Sequence, residues 1–203
     1  MNIMSLLNNE FNLNSSPNHP IFLCFKNNSE QSCINLIDKY NYNYNVTDGE
    51  LYPIHYAVIN DYIEFLKKLI NKKININCQD IDGNTPLHYA VKYNKIEIIL
   101  ELLTNKADVN SINKNKKTPL YESIANDNNF ITDLLLSNNA DPNIINIYGN
   151  NALHRAIKNG NYYIVSRLIE KGVNIDVKSN NGQTPLELAI ESHNNDIIEL
   201  LKR

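Results

Sequence analysis

Residues 85–90 read Thr85-Pro86-Leu87-His88-Tyr89-Ala90, and their pattern returns along the chain. Pro20, Pro53, Pro86, Pro119 and Pro185 fall on one 33-residue grid, with Ala152 in the remaining slot. One position on stand Ile21, Ile54, Leu87, Leu120, Leu153 and Leu186. Four positions on are the small residues Cys24, Ala57, Ala90, Ser123, Ala156 and Ala189. Five on are Phe25, Val58, Val91, Ile124, Ile157 and Ile190, and sixteen on are Leu36, Leu69, Leu102, Leu135, Leu168 and Leu201. Six units agreeing at five columns make an internal repeat.

Each column has a physical reading. Thr85-Pro86, Thr118-Pro119 and Thr184-Pro185 place an N-cap residue before proline at the first helical position, where no N–H is needed. Asn151-Ala152 keeps the cap and loses the rigid ring. The small column lies one turn into this helix and lets neighbouring helices approach closely. A second helix follows, with an apolar stripe clearest at Ile98, Ile99, Leu102 and Leu103. Polar stretches with alternation come next, such as Ile74-Asn75-Ile76-Asn77, Ala107-Asp108-Val109-Asn110 and Val173-Asn174-Ile175-Asp176. Glycine turns follow at Gly83, Gly149 and Gly182. The unit therefore predicts a helix, a turn, a helix and an extended loop or hairpin.

Composition narrows the function. With 42% hydrophobic residues in 203, the chain can bury a core. Its 19 basic and 22 acidic residues give a net charge of −3, which argues against a nucleic-acid protein held by a broad positive field. No stretch approaches the roughly 18 apolar residues of a membrane span. Met1 to Leu13 lacks the basic flank and apolar run of a signal peptide. Cys24, Cys33 and Cys78 are odd in number and lack metal spacing, which fits a reduced intracellular setting. The 38 Asn, 27 Ile, 16 Lys and 12 Tyr have AT-rich codons, so their excess reads as a property of the genome rather than of the fold. The same excess creates glycosylation sequons at Asn14, Asn27 and Asn45, expected to stay unmodified without a secretory signal.

The quoted stretch resembles the ankyrin signature T-P-L-H-x-A, and Asp108-Val109-Asn110 resembles that family's D-V-N. The resemblance covers nearly the whole chain. It implies an all-α repeat solenoid of helix-turn-helix units with hairpin loops, elongated, each unit touching only its neighbours. Six units are expected at about 15–45, 46–78, 79–111, 112–144, 145–177 and 178–203, after an N-terminal half unit at 1–14, in one domain over 1–203. The half unit rests on Leu6-Leu7-Asn8-Asn9-Glu10-Phe11-Asn12, which parallels Leu69 to Asn75. Lys202 and Arg203 suit the negative end of a final helix. The unit near Pro20 lacks the glycine turn and the histidine, and the last unit has Glu187 for His. The unit at 112–144 has Lys116 for Gly, Tyr121 for His and Ser123 for Ala, and is expected to be the loosest.

Candidate chemistry is sparse. His55, His88 and His154 occupy one site of separate units, and the resemblance implies that each ties its turn to the neighbouring hairpin. With Thr85 and Pro86 they are expected to be structural. His193 lies off that column and reads as a solvated loop residue, and Asp80 and Asp82 as solvated carboxylates of a tip. No phosphate loop, H-E-x-x-H or cysteine cluster occurs, so no enzyme, cofactor or metal is expected. Leu102 with Asp108-Val109-Asn110 resembles the ankyrin pattern modified by asparaginyl hydroxylases, for which Asn110 and Asn143 are candidates. The simpler expectation is that Asn stabilises the turn between units.

Surface remains. The resemblance implies partner binding by hairpin tips and by the exposed, concave side of the first helices. Register places Ile81, Lys114, Lys116, Lys117, Ile147 and Tyr148 on tips, and Lys92, Tyr93 and Lys158 at first-helix ends. Exposed apolar and aromatic residues grouped on one face mark a partner site, with the lysines steering an acidic partner. The expectation is a non-enzymatic, monomeric, cytoplasmic module that binds another protein and neither nucleic acid nor membrane. The repeat style is similar to that of poxviruses and of other AT-rich viral, intracellular bacterial or protist genomes. That implies a host-interaction factor in host cytoplasm or nucleus, or a short viral inhibitor resembling inhibitors of NF-κB-type factors. An enzyme or small-ligand sponge on the solenoid is the contrary reading, and a polar pocket on the concave face would favour it.

Overall fold

The computed structural model describes residues 19–26 and 28–202. The half unit at 1–14, the sequons at Asn14 and Asn27, and Arg203 lie outside the described residues. Among those described, all regular structure is helical. Contacts group the chain into two compact units, one up to Ala90 together with Glu97–Ala107, the other Val91–Ile96 with Asp108 onward.

The first unit holds α1 (Pro20–Lys26), α2 (Glu30–Lys39), α3 (Pro53–Ile59) and α4 (Ile63–Asn71). Here α1 packs on α2 and α3, and α4 on α2 and α3. First helices thus meet first helices, and second meet second. Next come α5 (Pro86–Lys92) and α6 (Ile96–Thr104). The second unit holds α7 (Pro119–Ala125), α8 (Asn129–Ser137), α9 (Ala152–Asn159), α10 (Tyr162–Glu170), α11 (Pro185–Glu191) and α12 (Asn195–Leu201). The same pairing recurs: α9 lies between α7 and α11, and α10 between α8 and α12.

The repeat columns form the core. Cys24, Ala57, Ala90, Ser123, Ala156 and Ala189 are all buried. So are Val58, Val91, Ile124 and Ile157 of the apolar column. Ile190, on α11, differs: it is 51% exposed. Burying one such side chain is worth about 1.5–3 kcal/mol, a contribution that Ile190 makes only in part.

Thr118, Asn151 and Thr184 cap their helices by accepting from the backbone N–H of Tyr121, His154 and Glu187. Asn128, Asn161 and Asn194 do the same for the second helices, through Ile131, Ile164 and Ile197 N–H. Left-handed backbone recurs with the repeat. Between paired helices it falls on Asn28, Asp61, Asn94, Asp127, Gly160 and His193. After the second helix it falls on Lys73, Lys106, Asn139 and Gly172. His193 is therefore more than a loop residue: it occupies the turn column that reverses the chain, a place that favours Gly, Asn and Asp.

No β-strand occurs among the described residues; the loops expected as extended or hairpin segments are tight turns. In the first unit Asp80 N–H donates to Asn84 O at 3.0 Å, and Gly83 N–H to Asp80 O at 3.0 Å. In the second, Asn113 pairs with Lys117 and Asn146 with Asn150 in the same way.

Candidate partner-binding surface

Each tip opens on a side chain that folds it. Asn146 Oδ1 accepts from Tyr148 N at 2.8 Å and Asn150 N at 3.1 Å. Asn113 Oδ1 accepts from Asn115 N and Lys117 N, and Asp80 Oδ1 from Asp82 N and Asn84 N. Asp80 is thus no solvated carboxylate. Burial opposes its ionisation, but the Tyr89 hydroxyl, donating at 2.7 Å, and the Asn84 and Asp82 N–H groups hold it below the usual carboxylate range.

The histidines fix the tips from below. His55 Nδ1 accepts from Tyr52 N–H at 3.2 Å, so its Nε2 carries the proton and donates to Asn84 O at 3.1 Å. His154 repeats this with Asn151 N–H at 3.4 Å and Gln183 O at 3.3 Å. Burial drives the His55 pKa down to about 4 against the favourable Asn84 carbonyl, and lowers that of His154. Both nitrogens are committed, which leaves neither ring available for proton transfer.

Adjoining tips are joined by main chain. Ile81 N–H donates to Glu50 O in the first unit. In the second, Ile147 N–H donates to Asn115 O at 3.1 Å, and Asn180 N–H to Tyr148 O at 2.9 Å. Asparagines tie the loops below: Asn45 Oδ1 accepts from Asn75 N, Asn110 Oδ1 from Asp141 N and Asn143 Oδ1 from Asn174 N, at 2.7–2.8 Å. Both hydroxylation candidates, Asn110 and Asn143, are therefore structural bridges.

Ile81 belongs to the first unit, and Lys92, Tyr93, Lys114, Lys116, Lys117, Ile147, Tyr148 and Lys158 to the second. Ile81, Tyr93, Ile147 and Tyr148 are exposed, Tyr148 at 61%, and so are Lys92, Lys114, Lys116 and Lys158. Lys117 is half-buried, 3.6 Å from Glu122, with its ammonium over the Tyr121 ring. Lys92 likewise lies over the Tyr93 ring. Phe130, Tyr162 and Tyr163, at the starts of α8 and α10, are also exposed, Phe130 at 61%. Register counted from the first helix had no column for them; the first turn of the second helix gives the signal.

Between the second unit's tips and first helices lies a polar hollow of about 440 Å³. Lys117, Tyr121, Tyr148, Arg155, Lys158 and Ser179 are among its lining. The pairing of helices, the tight tips and the histidine caps together define a helix-turn-helix repeat protein with a continuous surface of tips in its second unit. A family model described as "Ankyrin repeats (3 copies)" matches residues 21–113, 54–146 and 120–203, and the chain belongs to the ankyrin-repeat family. No curated protein matches the chain. Ankyrin repeats are in general protein–protein interaction modules.

Proposed function

We propose that this chain is a non-enzymatic binding module that takes another protein on its tips and on the exposed side of its first helices. The observation that carries this reading is Tyr148: its side chain is 61% exposed while its main chain is hydrogen-bonded to Asn180. A large aromatic side chain held out on a fixed backbone loses little entropy on binding and serves as an anchor. Tyr93 at the end of α5 and Ile147 beside Tyr148 extend that surface, with Lys114 and Lys116 as its cationic rim. In this reading residues 1–203 act as one monomeric repeat domain in the cytoplasm, and a viral or bacterial origin would make the partner a host protein.

The test is an affinity capture with the wild type and with the double variant Tyr93→Ala, Tyr148→Ala, read by mass spectrometry and then by titration of the captured partner. Binding should weaken by about 1–3 kcal/mol in sum, with the melting temperature nearly unchanged. A double variant that binds normally sinks the assignment, and one that unfolds makes the tyrosines structural. The polar hollow favours a second reading, a small-ligand site, which a ligand-induced rise in melting temperature would reveal.

A further inference from the structure

The hollow of the second unit has a definite electrostatic character. Its lining contributes three cations, Lys117, Arg155 and Lys158, and no carboxylate. Glu122, which is not on the lining, lies 3.6 Å from Lys117 and offsets it in part; its buried Oε2 has no hydrogen-bond partner. Outside the lining, Glu191 accepts a hydrogen bond from the lining residue Gln183. Lys158 is exposed at the end of α9.

Arg155 is the distinctive member. Its Nη2 donates to Ala125 O at 3.3 Å, which anchors the guanidinium against the end of α7. Its Nε is buried and has no hydrogen-bond partner. A guanidinium cannot shed its proton, so a buried N–H of this kind keeps its full desolvation cost until an acceptor arrives. Ser179 Oγ, also on the lining, is a second buried polar atom without a partner. Two side chains with an unfilled polar atom, Arg155 and Ser179, therefore line one hollow together with Lys117, Lys158 and two phenols, Tyr121 and Tyr148.

We propose that the hollow is an anion pocket for an acidic side chain: it receives the carboxylate of a glutamate or aspartate on an extended segment of the partner protein. Arg155 is the principal receptor, Lys158 and Lys117 supply the flanking field, and Ser179 offers a hydroxyl. The volume suits one or two side chains, and Tyr148 at the rim covers the aliphatic stem. This rests on the reading of tips and first helices as the partner surface, and deepens it by naming what the partner presents.

The probe is a blocked peptide of alternating glycine and glutamate, titrated into isotope-labelled full chain, with its glutamine counterpart as control. The glutamate peptide should move the Arg155 Nε–H resonance and the Gly149 and Gln183 amides, and the glutamine peptide should not. Arg155→Gln and the exposed Lys158→Gln should each weaken binding about fivefold, the size of a partly desolvated charge contact, whereas Lys171→Gln should leave it unchanged. Binding should also fall as salt rises from about 50 to 300 mM. Equal shifts with both peptides, or an Arg155 resonance that stays still, overturns the pocket. Inorganic phosphate moving the same resonances while the glutamate peptide does not overturns the carboxylate assignment. A failed pocket with Tyr93- and Tyr148-dependent capture intact leaves the binding module standing; the two readings therefore fail separately.

Discussion

The tips at 113–117 and 146–150 share one hydrogen-bond plan and differ at its hardest position. Both open on an asparagine whose side chain gathers two backbone N–H groups. Both then require left-handed backbone, met by Gly149 at φ +74° and by Lys116 at φ +53°. Such a conformation costs a residue with a Cβ about 1–2 kcal/mol. Beneath the first tip stands Tyr121, which meets the Thr118 cap through its N–H and the Asn146 side chain of the next tip through its own side chain; beneath the second, His154 bonds both its own cap and the Gln183 carbonyl. One period of the same repeat thus carries backbone strain at its tip, and the next does not. Turn geometry is imposed by the neighbouring repeats even where the local residue resists it.

The largest effect should come from acid. His55 and His154 have pKa values lowered in the fold, His55 to about 4, against about 6.5 unfolded. Their stabilisation is complete above pH 6.5 and is lost as pH falls toward the folded values, at up to about 1.4 kcal/mol per pH unit for each ring. Urea unfolding between pH 7 and 4 should show that loss, and NMR titration should find His55 still neutral near pH 5. A His55 that protonates near pH 6.5 would break the account of the caps.

Gly149→Ala comes next. An added methyl would stand 2.6 Å from Asn180 Oδ1 and 2.8 Å from its backbone nitrogen, on top of the φ penalty. A destabilisation of about 3 kcal/mol by chemical denaturation is expected. The reciprocal change, Lys116→Gly, should stabilise by about 0.5–1 kcal/mol, the relieved strain exceeding glycine's extra unfolded-state entropy. If both changes destabilise, the two tips do not share a plan.

Ser123→Ala should be smallest, below about 1 kcal/mol. Ser123 Oγ donates to Leu120 O and meets Thr132 Oγ1 at 3.0 Å, but Thr132 keeps its own bond to Asn128 O. Amide exchange offers the finer comparison: 113–130 should exchange a few-fold faster than 146–163, and equal protection would show that the departures are fully compensated.

The repeat was legible because its columns follow from period and size: a cap, a proline, a small residue and a leucine each mark one place in a helix pair. Asn151 as a cap and Asn110 and Asn143 as turn residues were legible, but most asparagines were not, and their reading as codon bias needs correcting. Asn128, Asn161 and Asn194 cap helices, Asn113 and Asn146 fold tips, and Asn45 bridges loops as Asn110 and Asn143 do. A short side chain with one acceptor and one donor suits all three jobs, so frequency alone could not separate them. Exposure of the candidate surface residues followed from register, whereas the engagement of Lys117 and the unfilled Arg155 Nε depend on side-chain packing that no column records.

The tips are joined through main-chain groups: Ile147 N–H to Asn115 O, and Asn180 N–H to Tyr148 O. Any amino acid but proline offers the same N–H and C=O. Residues 114, 147 and 148 can therefore be rewritten by mutation with little charge to folding, while 149 is held to glycine by its neighbour. Recognition in this chain is free to drift faster than architecture, and a lineage pursued by a changing partner could retune its contacts without rebuilding its scaffold.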